Sequence, residues 1–242
     1  MKIIGGMMMI YIMGTIAAGK TSLAKILAKD LNSAIYYEDI ENNGLILNML
    51  EKFYSLGKES RKSNGAILQM AFLTFRYQQL RQAITQQNAV MDSSLASDFV
   101  MASQLHEHGE IADEDFNVYV TLSQEMQANV NGIPWNGLPD LAIYLKIDSE
   151  HAINEIQKRG REMESIEREP ELIDYYHRVH HAYEKWADGY PSAILLTIDR
   201  EKYDYVNNIE NRNEVLNLIE TKLKDLGKLS PKTFKKIKQR RE

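Results

Sequence analysis

The run Gly14-Thr15-Ile16-Ala17-Ala18-Gly19-Lys20-Thr21-Ser22 constrains the fold of this chain more than any other. It fits G-x-x-x-x-G-K-[ST], a pattern whose glycines let backbone N–H groups close around a phosphate. The lysine adds a cation, and the hydroxyl after it can ligate Mg²⁺. Such a loop needs a strand before it and a helix after it. Residues 7–13 (MMMIYIM) are a continuous apolar run, as in a strand buried on both faces. Leu23, Ile26, Leu27 and Leu31 then recur at helical spacing. The N-terminus of that helix adds partial positive charge beneath a phosphate. Gly14, Thr15, Ile16, Ala17, Ala18, Gly19, Lys20, Thr21 and Ser22 are therefore the expected phosphate-binding residues.

The same N-terminus imitates a secretory leader, with Lys2, an apolar stretch and small residues at 15–19. Cleavage there would destroy the loop. No later segment approaches the ~20 apolar residues of a membrane span. A soluble, uncleaved, cytoplasmic protein without membrane contact is expected. A length of 242 residues suits one α/β domain with a sizeable core. The absence of cysteine excludes disulfides, thiolate nucleophiles and cysteine-ligated metal sites. The net charge of −5 is uneven: residues 228–242 hold seven basic residues against Glu242, a net +6, which leaves −11 on the rest. An acidic body argues against nucleic-acid binding. The basic end reads as a solvated, partly helical or disordered tail.

Apolar runs recur at 7–13, 34–37, 89–91, 141–147 and 194–198. Helical patterns separate them at about 20–30, 44–56, 65–87, 98–107, 113–129, 150–158, 171–187 and 212–226. This alternation predicts an α/β fold with a parallel five-stranded sheet and helices on both faces. Ligands in such sheets bind at the carboxyl ends of the strands. Glu38-Asp39-Ile40-Glu41 follows the second run and Asp92-Ser93-Ser94 the third. A carboxylate at either place can accept a proton from a hydroxyl or hold Mg²⁺ through water. Residues 156–164 (IQKRGREME) place Arg159 and Arg161 around a glycine at a helix end. That arrangement suits a lid closing on a transferred phosphoryl group.

Together these segments resemble the deoxynucleoside kinases of the bacterial deoxyadenosine/deoxyguanosine kinase type, from about residue 8 to 228. GTIAAGKTSLA resembles the family's G-x-I-G-A-G-K-[ST]-S-L. In YYEDIENNGLILNMLEKFY, the resemblance puts Glu38 on the catalytic base and Tyr54 on the tyrosine that binds the sugar 3′-hydroxyl. In AILQMAFLTFRYQ, Gln69 falls on the glutamine that pairs with the base edge, and Arg76 on the base-site arginine. AVMDSSLASD resembles [DE]-R-S-x-x-x-D, with Asp98 on the partner of that arginine. QKRGREMES resembles the lid, with Glu164 on a second 3′-hydroxyl contact. LPDLAIYLKI and ILLTIDREKYDYV resemble the fourth and fifth strands, the latter followed by the adenine-side loop. Three positions depart from the family. Ser93 and Glu155 each stand where it has an arginine, which removes cations expected near the phosphates and predicts weakened catalysis. Ala17 replaces a glycine, a change the loop accommodates at negative φ.

The resemblance implies a P-loop kinase fold. Residues 1–227 would form one domain with a lid at about 158–168, and 228–242 the tail. It further implies ATP-dependent 5′-phosphorylation of a deoxyribonucleoside in nucleoside salvage, by a homodimer using ATP and Mg²⁺. Deoxyadenosine, deoxyguanosine or deoxycytidine would be favoured over thymidine. Glu38, Lys20, Asp92, Arg159 and Arg161 would carry catalysis. Glu38, Tyr54, Gln69, Arg76, Asp98 and Glu164 would bind the nucleoside, with Mg²⁺ on Thr21 and, through water, on Asp92. Two alternatives remain at this stage: a nucleotide kinase of the thymidylate kinase type, and a weakly active regulatory subunit that binds nucleotide.

Overall fold

The computed structural model describes residues 8–55, 57–130 and 138–241. Its elements are β1 (Met8–Met13), α1 (Lys20–Leu31), β2 (Ala34–Tyr36), α2 (Gly44–Tyr54), α3 (Gly57–Ala83), β3 (Asn88–Asp92), α4 (Leu95–Glu107), α5 (Asp113–Val130), β4 (Leu141–Lys146), α6 (Ser149–Arg159), α7 (Leu172–Gly189), β5 (Leu195–Asp199), α8 (Ile209–Asp225) and α9 (Pro231–Gln239). The strands form one parallel sheet in the order β2-β3-β1-β4-β5. Helices cover both faces, which is the P-loop kinase fold.

β1 explains why its sequence reads apolar without alternation. Met9, Tyr11 and Met13 enter a core built with α2 to α7. Met8, Ile10 and Ile12 enter a second core with α1, α8 and α9. Successive side chains of a strand point to opposite faces, so a central strand must be apolar at every position. All six are buried. Met7, the first residue of the expected run, and Leu56, the last of the expected second helix, lie outside the described residues.

One expected boundary is corrected, and one expected segment turns out to be docked. α3 starts at Gly57, not near 65. Its first two turns, GKESRKSN, lack apolar periodicity and are held by a buried charge instead: Arg61 donates from Nε to Glu110 at 3.0 Å, both groups being fully buried. Gly65 lets the helix approach that corner, because a Cβ there would lie 2.9 Å from the Glu110 carbonyl oxygen.

The basic tail is partly helical and keeps Lys232, Lys235, Lys236 and Arg240 exposed, but it is docked rather than free. Ser230 accepts from Thr233 N–H at 3.1 Å and Pro231 occupies the first turn, which together start α9. Leu229 and Ile237 enter the core beside α8. Arg241 donates to Glu220 of α8 at 2.6 Å and to Asn217 at 3.0 Å. Arg240 reaches the Asp30 carbonyl at the end of α1, at 2.8 Å.

Candidate active site

The carboxyl ends of β1, β2 and β3 open into a cleft of about 550 Å³. That size lies within the range of small-molecule sites. On the sheet side lies the 14–22 loop. Gly14 has φ +151 and a Cβ on it would lie 3.0 Å from the Leu145 carbonyl. Gly19 has φ +93 and a Cβ on it would fall 2.7 Å from the Tyr205 hydroxyl. No side chain caps α1, so its first N–H groups stay available to an anion. Ala17 does not have negative φ. It sits at +60, in the left-handed region, so the expected mild replacement carries backbone strain.

Lys20 donates from Nζ to the Gly14 and Thr15 carbonyls at 2.9 and 2.8 Å, which folds its charge over the loop. Burial pulls its pKa below the ordinary lysine value, and Asp92 and Glu38 oppose that shift. Thr21 Oγ1 donates to Asp92 Oδ2. Burial raises the Asp92 carboxyl, with Lys20 acting against it. Loop hydroxyl, loop lysine and strand-end carboxylate therefore form one cluster.

Glu38, Tyr54, Gln69 and Asp98 line the same cleft, with Arg159, Arg161 and Glu164 across from them. Tyr54 is buried and meets Phe53 and Tyr175 edge-on at 5.2 and 6.0 Å. Burial pushes Asp98 up to about 7, with Arg76 opposing. Arg76 itself is fully buried and stands one layer behind the cleft wall. The expected pairing of Arg76 with Asp98 is present, at 3.5 Å. A contact not foreseen is the ion pair of Arg76 Nη2 with Glu38.

The segment expected to form a lid turns at Gly160, φ +71, into a short 3₁₀ turn at Glu162–Glu164. Its arginines are held by carboxylates. Arg159 donates to Glu164 Oε2 at 2.6 Å, and Arg161 lies 3.6 Å from Glu164 and 3.4 Å from Glu41. Glu155 lines the cleft and pairs with Lys158 at 2.6 Å. Ser93 lines it too, with φ +79.

Several residues that line or back the cleft were not singled out in the sequence. Tyr205 donates to the Gly19 carbonyl at 3.1 Å, beneath Arg200 at 4.5 Å from its ring. Both sit in DREKYDYV, which nothing local marks as touching a loop more than 180 residues earlier. Tyr175 shares a hydrogen bond with Tyr54 and lies between Arg61 and Arg178, each under 6 Å from its ring. Its helical spacing reads simply as core. Among the described residues, no group of three His, Asp or Glu side chains could hold a metal by itself.

The deoxynucleoside kinase family model matches residues 10–224. The chain is 34% identical over 222 residues to deoxyguanosine kinase of Lactobacillus johnsonii, covering 92% of this chain and 95% of that protein. It is 33% identical over 221 residues to deoxyadenosine kinase of Lactobacillus acidophilus, covering 91% and 98%. Its fold is similar to that of deoxyadenosine kinase from M. mycoides with the products dCMP and dCDP bound. The TM-score is 0.68 at 25% identity, covering 90% of this chain and 100% of that one.

Proposed function

Because the chain belongs to the deoxynucleoside kinase family, and is therefore a kinase, we propose that it transfers the γ-phosphoryl group of ATP to the 5′-hydroxyl of a deoxyribonucleoside. Deoxyadenosine, deoxyguanosine and deoxycytidine are its substrates in preference to thymidine. The observation that carries this reading is the convergence in one cleft of Lys20, the Thr21–Asp92 pair and Glu38.

Glu38 takes the 5′-hydroxyl proton. The oxygen forms a bond to the γ-phosphorus as the bond to the β–γ bridging oxygen breaks, leaving ADP and a nucleoside monophosphate. Lys20 and the free N–H groups of α1 hold the β- and γ-phosphates. Arg159 and Arg161 exchange Glu164 for phosphoryl oxygens, where negative charge spreads as the bond breaks. Glu164, once released, and Tyr54 serve the 3′-hydroxyl, and Gln69 and Asp98 face the base. Mg²⁺ fits the donor set: Thr21 and Asp92 offer hard oxygens side by side, and such sites are completed by phosphate oxygens and water. Bound there, it would neutralise phosphate charge.

Thymine is disfavoured because its methyl group would face Asp98, the edge of the Asp98–Arg76 pair that lines the cleft, where a polar group can hydrogen-bond and a methyl cannot. Activity in cytoplasmic nucleoside salvage and assembly as a homodimer complete the proposal. The dimer is supported by apolar side chains left exposed on neighbouring helices, Phe99 on α4 and Val118 and Leu122 on α5.

The test is kcat/KM for the four deoxynucleosides with ATP and Mg²⁺, with an EDTA control. One of the purine nucleosides or deoxycytidine should lead, thymidine should trail, and EDTA should stop turnover. Thymidine as the best substrate would refute the specificity. Full turnover in EDTA would refute the metal assignment.

A further inference from the structure

Both Nη atoms of Arg76 are held by hydrogen bonds, while its Nε faces Asp98 as an ion pair without a hydrogen bond. Nη1 donates to the Asp92 carbonyl at 2.9 Å and to Gln79 Oε1 at 3.1 Å. Nη2 donates to Glu38. Nε lies 3.5 Å from Asp98 Oδ2. Gln79 in turn donates to the Tyr37 carbonyl at 2.8 Å, so the residue before Glu38 is tied to the same brace. Glu38 follows β2, Asp92 ends β3 and Asp98 lies in the first turn of α4. One buried cation on α3 thus joins three separate elements at the cleft. Asp92 and Asp98 are themselves nearly fully buried, so the cation has little freedom to turn away. Ser93, where a cation is expected from the family pattern, lines the same cleft as Glu38 but carries no charge.

We propose that Arg76 is the positioning residue for Glu38, standing in for the cation absent at Ser93, and that it links the proton acceptor to the base-site carboxylate Asp98. The proposal rests on Glu38 acting as the base in the reading above. Its physical content is geometric. A planar guanidinium presents a rigid fork that can meet two carboxylates and a carbonyl at once, whereas an ammonium is a single point charge that cannot. Arg76 does not reach the cleft, so it acts on the substrate only through Glu38 and Asp98. Disturbing it should therefore change turnover and base preference together, although neither effect involves a contact to substrate.

The experiment is a double-mutant cycle on kcat between Arg76→Lys and Glu38→Gln, with thermal melts confirming that each variant folds. Glu38→Gln alone should lower kcat by about 10²- to 10⁴-fold. Arg76→Lys should lower kcat at least tenfold with Glu38 present, and no more than twofold when Glu38 is already glutamine. Its base preference should narrow toward equality. Adding Ser93→Arg to Arg76→Lys should recover kcat without restoring base preference, because a cation at 93 can serve Glu38 but does not hold Asp98. Equal cost of Arg76→Lys in both backgrounds would overturn the proposal while leaving Glu38 as the base. Failure of Ser93→Arg to recover kcat would overturn the substitution of one cation for the other. An unchanged kcat in Glu38→Gln would overturn this proposal and the assignment of the base together.

One arm does not depend on an Arg76 variant folding. Ser93→Arg alone should raise kcat less than threefold, since Glu38 already has its cation. A tenfold gain that disappears in the Glu38→Gln background would show that Glu38 lacks that partner in solution, and would overturn the proposal. Arginine at 93 adds no backbone cost, because serine already occupies φ +79 there.

Discussion

At the scale of single residues, the site is shaped by positions that accept strain or burial to face the cleft. Ala17 and Ser93 both hold left-handed backbone without being glycine. Each costs on the order of 1–2 kcal/mol relative to glycine in that conformation. Ala17→Gly should therefore stabilise the protein, because relief of strain exceeds the ~0.4–1 kcal/mol of added freedom in the unfolded chain. The expected gain is roughly 0.5–1 kcal/mol, a rise of about 1–4 °C in Tm for a chain this long. Calorimetry decides it, and a lower Tm in the variant would show that the loop carries no strain at 17.

Elements meet through charged contacts as much as through apolar ones. α3 is pinned to the Glu110 corner by Arg61, and Arg178 of α7 reaches the same carboxylate at 3.0 Å. α8, α1 and α9 share a second cluster of Glu220, Asp30 and Arg241. Glu220 is fully buried, and burial together with the neighbouring Asp30 pushes its pKa up to about 8 from 4.5, with Arg241 opposing. The folded state then binds more protons than the unfolded chain between about pH 4.5 and 8. Stability from this group is complete below pH 4.5 and is lost as pH rises through 8. Glu220→Gln keeps the shape and cannot ionise. Apart from any constant offset from the lost contact to Arg241, the variant's Tm should rise relative to wild type between pH 5 and 8.5. Parallel Tm curves across that range would show that Glu220 does not titrate there.

For the whole molecule, the two cores on either side of the sheet have different duties. The α1–α8–α9 side carries the phosphate loop on α1 and closes with the docked tail. The α2-to-α7 side carries Tyr54, Gln69, Asp98 and the residues that brace them. On its outer surface, Phe99 is 44% exposed, Val118 50% and Leu122 39%. A second copy covering that face would bury them. Phe99→Asp should then convert the dimer to monomer in sedimentation, with little loss of fold because the side chain is half in solvent. A wild-type protein that sediments as a monomer would end the dimer proposal, and an unchanged dimer in the variant would move the interface elsewhere.

The strand–loop–helix order, the parallel sheet with helices on both faces, and the placing of Glu38 and Asp92 at strand ends were legible in the sequence. Each rests on local pattern: an unbroken apolar run for a strand buried on both sides, helical spacing for α1, and glycines at the fixed spacing of a phosphate-binding loop. The first turns of α3 and the docking of α9 were not legible. Their stability comes from Arg61 on Glu110 and Arg241 on Glu220, partners 49 and 21 residues apart. A run of lysines reads as solvated until something is found to cover its apolar side. Likewise the sequence placed Arg76 beside Asp98 through a family pattern, but only the fold brought it to Glu38. That contact requires α3 to cross the ends of β2 and β3, and such a crossing is set by how whole helices pack on a twisted sheet, which no short window of sequence encodes.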